Sequence, residues 1–181
     1  MDLTEKTVNR NYIYKGKILS LRRDDATLPD GRPCVREIVE HCPGAAVLYV
    51  RDGKIAFVNQ FRYAYGEVIP EIPAGKAEKD EDPVVAAARE LKEEAGVVPD
   101  SIELIQIVYP STGYTDERIY VYLARGGEIR EPSPDDGEFL AVEWMDESEA
   151  KAKLLDGYFR DAKTAVALYA YFLRRTRNVL S

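Results

Sequence analysis

Gly75, five residues, Glu81, seven residues, then Arg89-Glu90-Leu91-Lys92-Glu93-Glu94-Ala95-Gly96-Val97 is a run whose residue types and spacing could do chemistry. Glu90, Glu93 and Glu94 supply hard carboxylate oxygens, the donors that suit Mg²⁺ or Mn²⁺, ions that also bind phosphates and keep some of their waters. The pattern fixes seven named residues and two apolar ones. With each named type at roughly 5–8% of average composition, it should arise by chance in fewer than about one in a million chains.

The element that must position these carboxylates is written into the same stretch. Asp82 suits an N-cap, Pro83 the first helical position, and Gly96 a left-handed helix end. Val84, Ala88, Leu91 and Ala95 recur at three- and four-residue steps, which predicts one apolar stripe turned toward a core. At about 100° per residue the three glutamates group on a second face. Glu90 and Glu94 stand one turn apart, a like-charge pair that costs about 0.2–0.5 kcal/mol in an isolated helix, so a positive partner is expected there. A run of glutamates is ordinarily a solvated helix face. Such a face would alternate sign, whereas here Arg89 and Lys92 lie on one flank and leave three acids grouped. Arg89 and Glu93 are four apart, so an ion pair that orients the carboxylate is expected from the fixed fork of the guanidinium.

The 181 residues are 45% hydrophobic and 31% charged, which predicts a compact enzyme of one main domain with a sizeable core. A net charge of −7 argues against nonspecific binding to nucleic acid or acidic membranes, because a polyphosphate would be repelled over most of the surface. Cys34 and Cys42 have neither metal-site spacing nor disulfide density, and read as two idle thiols of a reducing compartment. No apolar signal core opens the sequence and no apolar run approaches the ~20 residues of a membrane span, so a cytoplasmic protein is expected.

Residues 1–43 read as a strand unit and 44–181 as the catalytic domain. Tyr12-Ile13-Tyr14, Ile18-Leu19-Ser20-Leu21 and Val35-Arg36-Glu37-Ile38-Val39 are strand-like, with a turn at Pro29-Asp30-Gly31. Roughly forty residues of sheet bury too little surface to fold alone, so this unit must pack on the main domain or on a second subunit. In the main domain, Ala46–Val50 and Ile55–Val58 flank Asp52-Gly53, a dipeptide favoured in two-residue hairpins. Further strands are expected at Ile102–Tyr109, Ile119–Leu123 and Leu140–Trp144. Two helices follow. Asp146 with Glu149 makes a capping pattern for the first, and Asp161 can cap the second, in which Ala165, Leu168, Tyr169 and Phe172 form the apolar stripe. The order predicts an α/β fold with a mixed sheet between helices.

Other chemistries fit less well. A hydrolase triad needs a histidine, and the single His41, before Cys42-Pro43-Gly44, reads as a surface or strand-end residue. Gly75-Lys76-Ala77 lacks the glycine-rich lead-in of a nucleoside-triphosphate loop. Tyr109, Tyr114, Tyr120 and Tyr122 could stack a base, yet at strand spacing they read as half-buried sheet residues.

The run from Gly75 to Val97 is similar, position for position, to the signature box of the Nudix hydrolases, which cleave the diphosphate of a nucleoside diphosphate linked to another group. Gln60-Phe61-Arg62-Tyr63, Glu71-Ile72-Pro73-Ala74-Gly75, Gly113-Tyr114-Thr115-Asp116-Glu117, Gly137-Glu138-Phe139-Leu140 and Asp161-Ala162-Lys163-Thr164-Ala165 widen the resemblance to the ADP-ribose pyrophosphatase branch. It implies the Nudix α/β/α sandwich and a homodimer that exchanges its N-terminal strands. It also implies Mg²⁺, or Mn²⁺ in its place, held by Glu90, Glu94 and the Ala74 carbonyl, with Glu93 as a further carboxylate close to the metal. Glu138 matches the loop carboxylate proposed as general base, with Asp136, Glu93 or metal alone as the alternatives. Arg36 and Arg62 match positions that hold the nucleotide end of the substrate, Glu117 lies near the terminal ribose or phosphates, and Gly75 opens the box. The implied reaction is hydrolysis of ADP-ribose to AMP and ribose 5-phosphate. Where the branch usually carries a proline, Thr112 stands, with Pro110 two residues earlier, which leaves GDP-mannose or another nucleoside diphosphate sugar as the alternative substrate. A sensor that binds such a nucleotide without turnover is the alternative of another class, and the intact Glu90, Glu93 and Glu94 argue against it.

Overall fold

In the computed structural model, which describes residues 1–176, the chain divides into two compact units. The first comprises Met1–Cys42 together with Tyr109–Arg118. Its three strands, β1 (Lys6–Lys15), β2 (Leu19–Thr27) and β3 (Pro33–His41), form an antiparallel sheet in chain order. The turn between β2 and β3 falls at Pro29-Asp30-Gly31, where Gly31 takes φ +88° and its N–H reaches the Leu28 carbonyl at 2.9 Å. Along β2, Arg22, Asp24 and Ala26 alternate onto a buried face. The Tyr109–Arg118 segment joins this unit through the Val39 N–H, which donates to the Tyr114 carbonyl at 2.7 Å.

The second unit comprises Pro43–Val108 and Ile119 onward. Its strands are β4 (Gly44–Arg51), β5 (Lys54–Arg62), β6 (Glu67–Glu71), β7 (Ala74–Lys76), β8 (Val97–Val98), β9 (Ser101–Val108), β10 (Ile119–Arg125), β11 (Glu128–Ile129) and β12 (Leu140–Asp146). Its helices are α1 (Pro83–Ala95), α2 (Glu147–Leu155) and α3 (Ala162–Thr176). The main sheet is seven-stranded and mixed, ordered β12-β5-β4-β10-β9 with β6 on β5 and β7 on β4; only β4 and β10 run parallel. Strand β4 explains the layers. It is buried on both sides, and successive side chains point to opposite faces. Ala45, Val47 and Tyr49 join a core with Ala86, Ala87 and Leu91 of α1, while Ala46, Leu48 and Val50 join one with Ala150, Leu154, Ala167 and Leu168 of α2 and α3. The result is the expected α/β/α sandwich.

Asp52 and Gly53 both have positive φ, +50° and +76°, as a type I′ hairpin requires. Past that turn β4 and β5 pair only at Val50↔Ile55 and Arg51↔Lys54. They then part, and the segment from β6 to β7 fills the opening, β6 on β5 and β7 on β4. Strand β6 was not expected from sequence, because Pro70 interrupts it; Pro70 is tolerated where the strand pairs on one side.

Three local expectations need correction. The stripe of α3 is displaced: Lys163, Thr164, Ala167, Leu168 and Tyr171 are buried, whereas Tyr169 is 47% exposed. Asp146 stands at the N-cap position but makes no side-chain cap, and the Glu147 N–H donates to the Gly53 carbonyl at 2.9 Å. Of the four tyrosines, Tyr122 is buried and Tyr120 half-buried, but Tyr109 and Tyr114 lie exposed in the first unit.

Candidate active site

Helix α1 is built as its sequence directs. The Asp82 carboxylate accepts from the Val84 N–H at 3.0 Å, Pro83 opens the helix, and Gly96 closes it at φ +68°. Its buried face holds Ala86, Ala87, Leu91 and Ala95, with Val84 packed at the margin, and also two carboxylates, Glu90 at 9% exposure and Glu94 at 3%. A buried charge without a cationic partner shifts its pKa toward the neutral form. Burial accordingly pushes Glu94 up to about 8, with Glu90 and Glu138 adding to the rise and the Ala74 N–H opposing it. Burial also raises Glu90, against the pull of Arg89.

The box folds back on the segment before it. The Ala74 N–H donates to Glu94 Oε2 at 2.8 Å. A side-chain carbon on Gly75 would meet the Glu90 carboxylate, so only glycine leaves that carboxylate its place. Glu90, Glu94, Ala74 and Gly75 are thus brought together. Glu93 turns aside. Arg89 donates from Nη1 to Glu90 at 2.8 Å and to Glu93 at 3.0 Å, which makes the expected ion pair and extends it. Among the described residues no three His, Cys, Asp or Glu side chains converge as metal ligands. Glu90 and Glu93 are instead turned to Arg89, and Glu94 to the Ala74 N–H.

Arg89 is itself held by Glu81, whose two oxygens receive Nε and Nη2 at 3.1 Å each. This fork, led by Glu81, raises the Arg89 pKa further. Glu81 belonged to the spacing but had no role assigned from sequence; its distance of eight residues from Arg89 placed it outside the usual helix pairs. Glu138 sits on an exposed turn whose approach is tied to α1 by the Ser133 N–H donating to the Glu93 carbonyl at 2.8 Å, and its charge is felt at both Glu90 and Glu94. Arg62 makes a two-armed pair with buried Glu71, Nε–Oε1 2.6 Å and Nη2–Oε2 2.7 Å. Lys163 reaches the same carboxylate. The two cations hold Glu71 below the usual carboxylate range against its burial.

The remaining two expected residues lie in the first unit. Arg36 is on β3, its Nε 2.9 Å from Glu5. Glu117 stands 3.4 Å from Nδ1 of His41, whose ring also meets the Cys42 carbonyl at 2.7 Å at the end of β3.

Two family profiles match adjoining parts of the chain. The profile of the NUDIX domain matches residues 40–168, and that of the nucleoside diphosphate sugar hydrolase N-terminal domain matches residues 5–39. An ADP-ribose pyrophosphatase of Bacillus subtilis (strain 168) is 40% identical over 92% of this chain and 91% of its own. A protein of Bacillus methanolicus named methanol dehydrogenase activator is 37% identical over 91% of this chain and 90% of its own. A crystal structure of an ADP compounds hydrolase superposes with a TM-score of 0.85 at 16% identity, covering 98% of both chains, a likeness of fold.

Proposed function

This chain belongs to the Nudix hydrolase family, and from that membership we propose that it hydrolyses ADP-ribose to AMP and ribose 5-phosphate with a divalent metal, Mg²⁺ or Mn²⁺. The observation that carries the reading is the pair of buried carboxylates, Glu90 and Glu94, set against Ala74 and Gly75. Two buried acids with raised pKa values are a donor set short of positive charge, and their oxygens, with the Ala74 carbonyl, fit a hard divalent ion. Such an ion, when bound, neutralises phosphate oxygens and lowers the pKa of water. Glu93 adds a further carboxylate, and Arg89, locked by Glu81, sets the angle of Glu90 and Glu93.

The rest is done by the chain's own side chains. The diphosphate is anionic, so hydroxide is repelled and the leaving phosphate is poor; catalysis is mostly positioning and charge stabilisation. Glu138 takes the proton of the attacking water, a contribution of about 10²- to 10⁴-fold. Water oxygen bonds to one phosphorus, the bridging P–O bond breaks, and the two monophosphates separate. Arg62 binds the nucleotide end, presenting the Nη1 edge not used by Glu71. Arg36 binds from the strand unit, residues 1–43, which acts on the catalytic domain, residues 44–181, of a second copy in an exchanged homodimer, and Glu117 binds near the terminal ribose or the phosphates. Among the described residues no helix is long and apolar enough to cross a membrane, and we place the enzyme in the cytoplasm.

The test is release of nucleoside monophosphate with excess Mg²⁺ from ADP-ribose, GDP-mannose, UDP-glucose, NADH, diadenosine polyphosphates and nucleoside triphosphates. ADP-ribose is expected to give the highest kcat/KM. Preference for GDP-mannose would make Thr112 a specificity determinant and overturn the ADP-ribose assignment. Binding without turnover of any substrate would make the protein a sensor.

A further inference from the structure

The first turn of α3 carries a lysine that is costly where it stands. Lys163 is 8% exposed, at the helix end where the backbone dipole disfavours a cation, and lysine is almost never buried unpaired. It pairs with Asp161 at 3.0 Å and with Glu71. Replacing a buried ion pair by apolar groups of similar volume is often neutral or stabilising, so stability alone gives no account of this one.

Its partner suggests the account. Glu71 is the last residue of β6, and the next five residues are Ile72, Pro73, Ala74, Gly75 and Lys76, the stretch that faces Glu90 and Glu94. That stretch ends in the short strand β7, Ala74–Lys76 paired with β4, while Ile72 and Pro73 before it belong to no strand and Pro73 supplies no N–H. It is fastened at separate points. The Ile72 N–H donates to Thr164 Oγ1 at 2.9 Å, and the Thr164 hydroxyl donates to Asp161 at 2.6 Å. The Pro73 carbonyl accepts from the Val47 N–H at 2.9 Å, and the Ala74 N–H donates to Glu94. Two consecutive side chains of α3 therefore hold two consecutive residues of the stretch, Lys163 on Glu71 and Thr164 on Ile72. Through Glu71 the same lysine fixes the two-armed partner of Arg62.

We propose that Lys163 and Thr164 are positioning residues: by clamping Glu71 and Ile72 they set the Ala74–Gly75 backbone against the acidic pair of α1 and set the orientation of Arg62. Neither touches the substrate or the reacting atoms. The inference rests on the metal and substrate reading above, and its first readout is chosen to be independent of turnover.

The experiment compares Lys163→Met, Lys163→Arg, Thr164→Val and the surface control Lys153→Met with wild type. Mn²⁺ binding without substrate is followed by electron paramagnetic resonance, with Tm and, separately, KM and kcat. Outer-shell groups around metal ligands typically contribute 10–100-fold in affinity. Thr164→Val is expected to weaken Mn²⁺ at least about tenfold on that scale, and Lys163→Met to weaken it less and raise KM, with Lys163→Arg recovering most of both. Lys153→Met should match wild type. Should Lys163→Met fail to fold, Thr164→Val carries the test, since it keeps the volume and removes the acceptor. A folded Thr164→Val protein whose Mn²⁺ affinity stays within twofold of wild type would overturn the proposal, whatever its Tm. Failure of wild type to cleave ADP-ribose would instead sink the substrate assignment and leave the Mn²⁺ result to stand.

Discussion

Glu94 lies one helix turn beyond Glu90, yet it is a backbone N–H twenty residues earlier, that of Ala74, that donates to it at 2.8 Å. The residue whose carbonyl is implied as a metal ligand and the carboxylate implied as its neighbour are thus coupled before any metal arrives. Glu94→Gln keeps the volume and the acceptor for this N–H while removing the charge. Turnover is expected to fall by at least about a hundredfold, with Tm at pH 8 equal to or above that of the metal-free wild type. Unchanged kcat would remove Glu94 from the metal site.

The raised pKa of Glu94, about 8 against 4.5 for a free glutamate, gives two pH signatures. In the metal-free fold the carboxyl favours its proton, so this group's share of stability is complete below about pH 4.5 and is lost as pH rises through 8. A divalent ion needs the ionised form, and its binding near pH 7 must expel a proton. Calorimetry in buffers of different ionisation enthalpy should show net proton release at pH 7, declining above pH 8. Removal of metal by chelator should lower Tm more at pH 8 than at pH 5.5.

Gly75 admits the Glu90 carboxylate only because it has no side chain. Gly75→Ala is expected to fold, since Glu90 can swing away, and to lose roughly tenfold or more in Mn²⁺ affinity. Equal affinity would show that Glu90 is free to bind from elsewhere.

Glu81 grips Arg89 with both oxygens, and Arg89 in turn sets Glu90 and Glu93. Glu81→Gln cannot accept on both arms. A drop in kcat of about tenfold with KM little changed is expected, and steady-state kinetics at saturating Mg²⁺ will show whether the fork matters.

Exchange of strand units has a complementation signature. Arg36→Ala should raise KM by about 10–100-fold, the usual worth of a charged hydrogen bond, and Glu94→Gln should abolish kcat. In a mixed exchanged dimer the Glu94→Gln subunit lends its Arg36 to the intact catalytic domain of the other. Mixing the two variants after brief unfolding should therefore restore the low-KM turnover that neither has. No recovery, or a particle of 20.4 kDa by light scattering, would rule the exchange out.

Much of this architecture was legible because its determinants are local. Asp82, Pro83 and Gly96 bound α1 by side-chain and backbone preferences that act within a few residues, and Asp52-Gly53 closes its hairpin for the same reason. Where distant partners decide, the sequence was ambiguous. Residues 165–173 of helix α3 are apolar throughout, so their periodicity leaves the phase open; in the fold Lys163 and Thr164 face Glu71 and Ile72, and Tyr169 lies outside. At the start of α2 the Glu147 N–H finds the Gly53 carbonyl, again a residue remote in sequence, while Asp146 makes no side-chain cap. At the site, the spacing announced the carboxylates and the Arg89–Glu93 pair but not that Glu90 and Glu94 would be buried while Glu93 stayed outside. That division comes from the sheet and the Gly75 segment they pack against.

The parting of β4 and β5 has a consequence for motion. Backbone amides usually exchange with solvent through small, local openings that cost less than unfolding the domain. The stretch filling the gap shares its bonds among β4, α1 and α3, so releasing Ile72 or Ala74 requires a helix as well as a strand to let go. Their amides should exchange with the slow kinetics of the deepest core. The backbone that faces Glu90 and Glu94 is then held in place without help from any ligand.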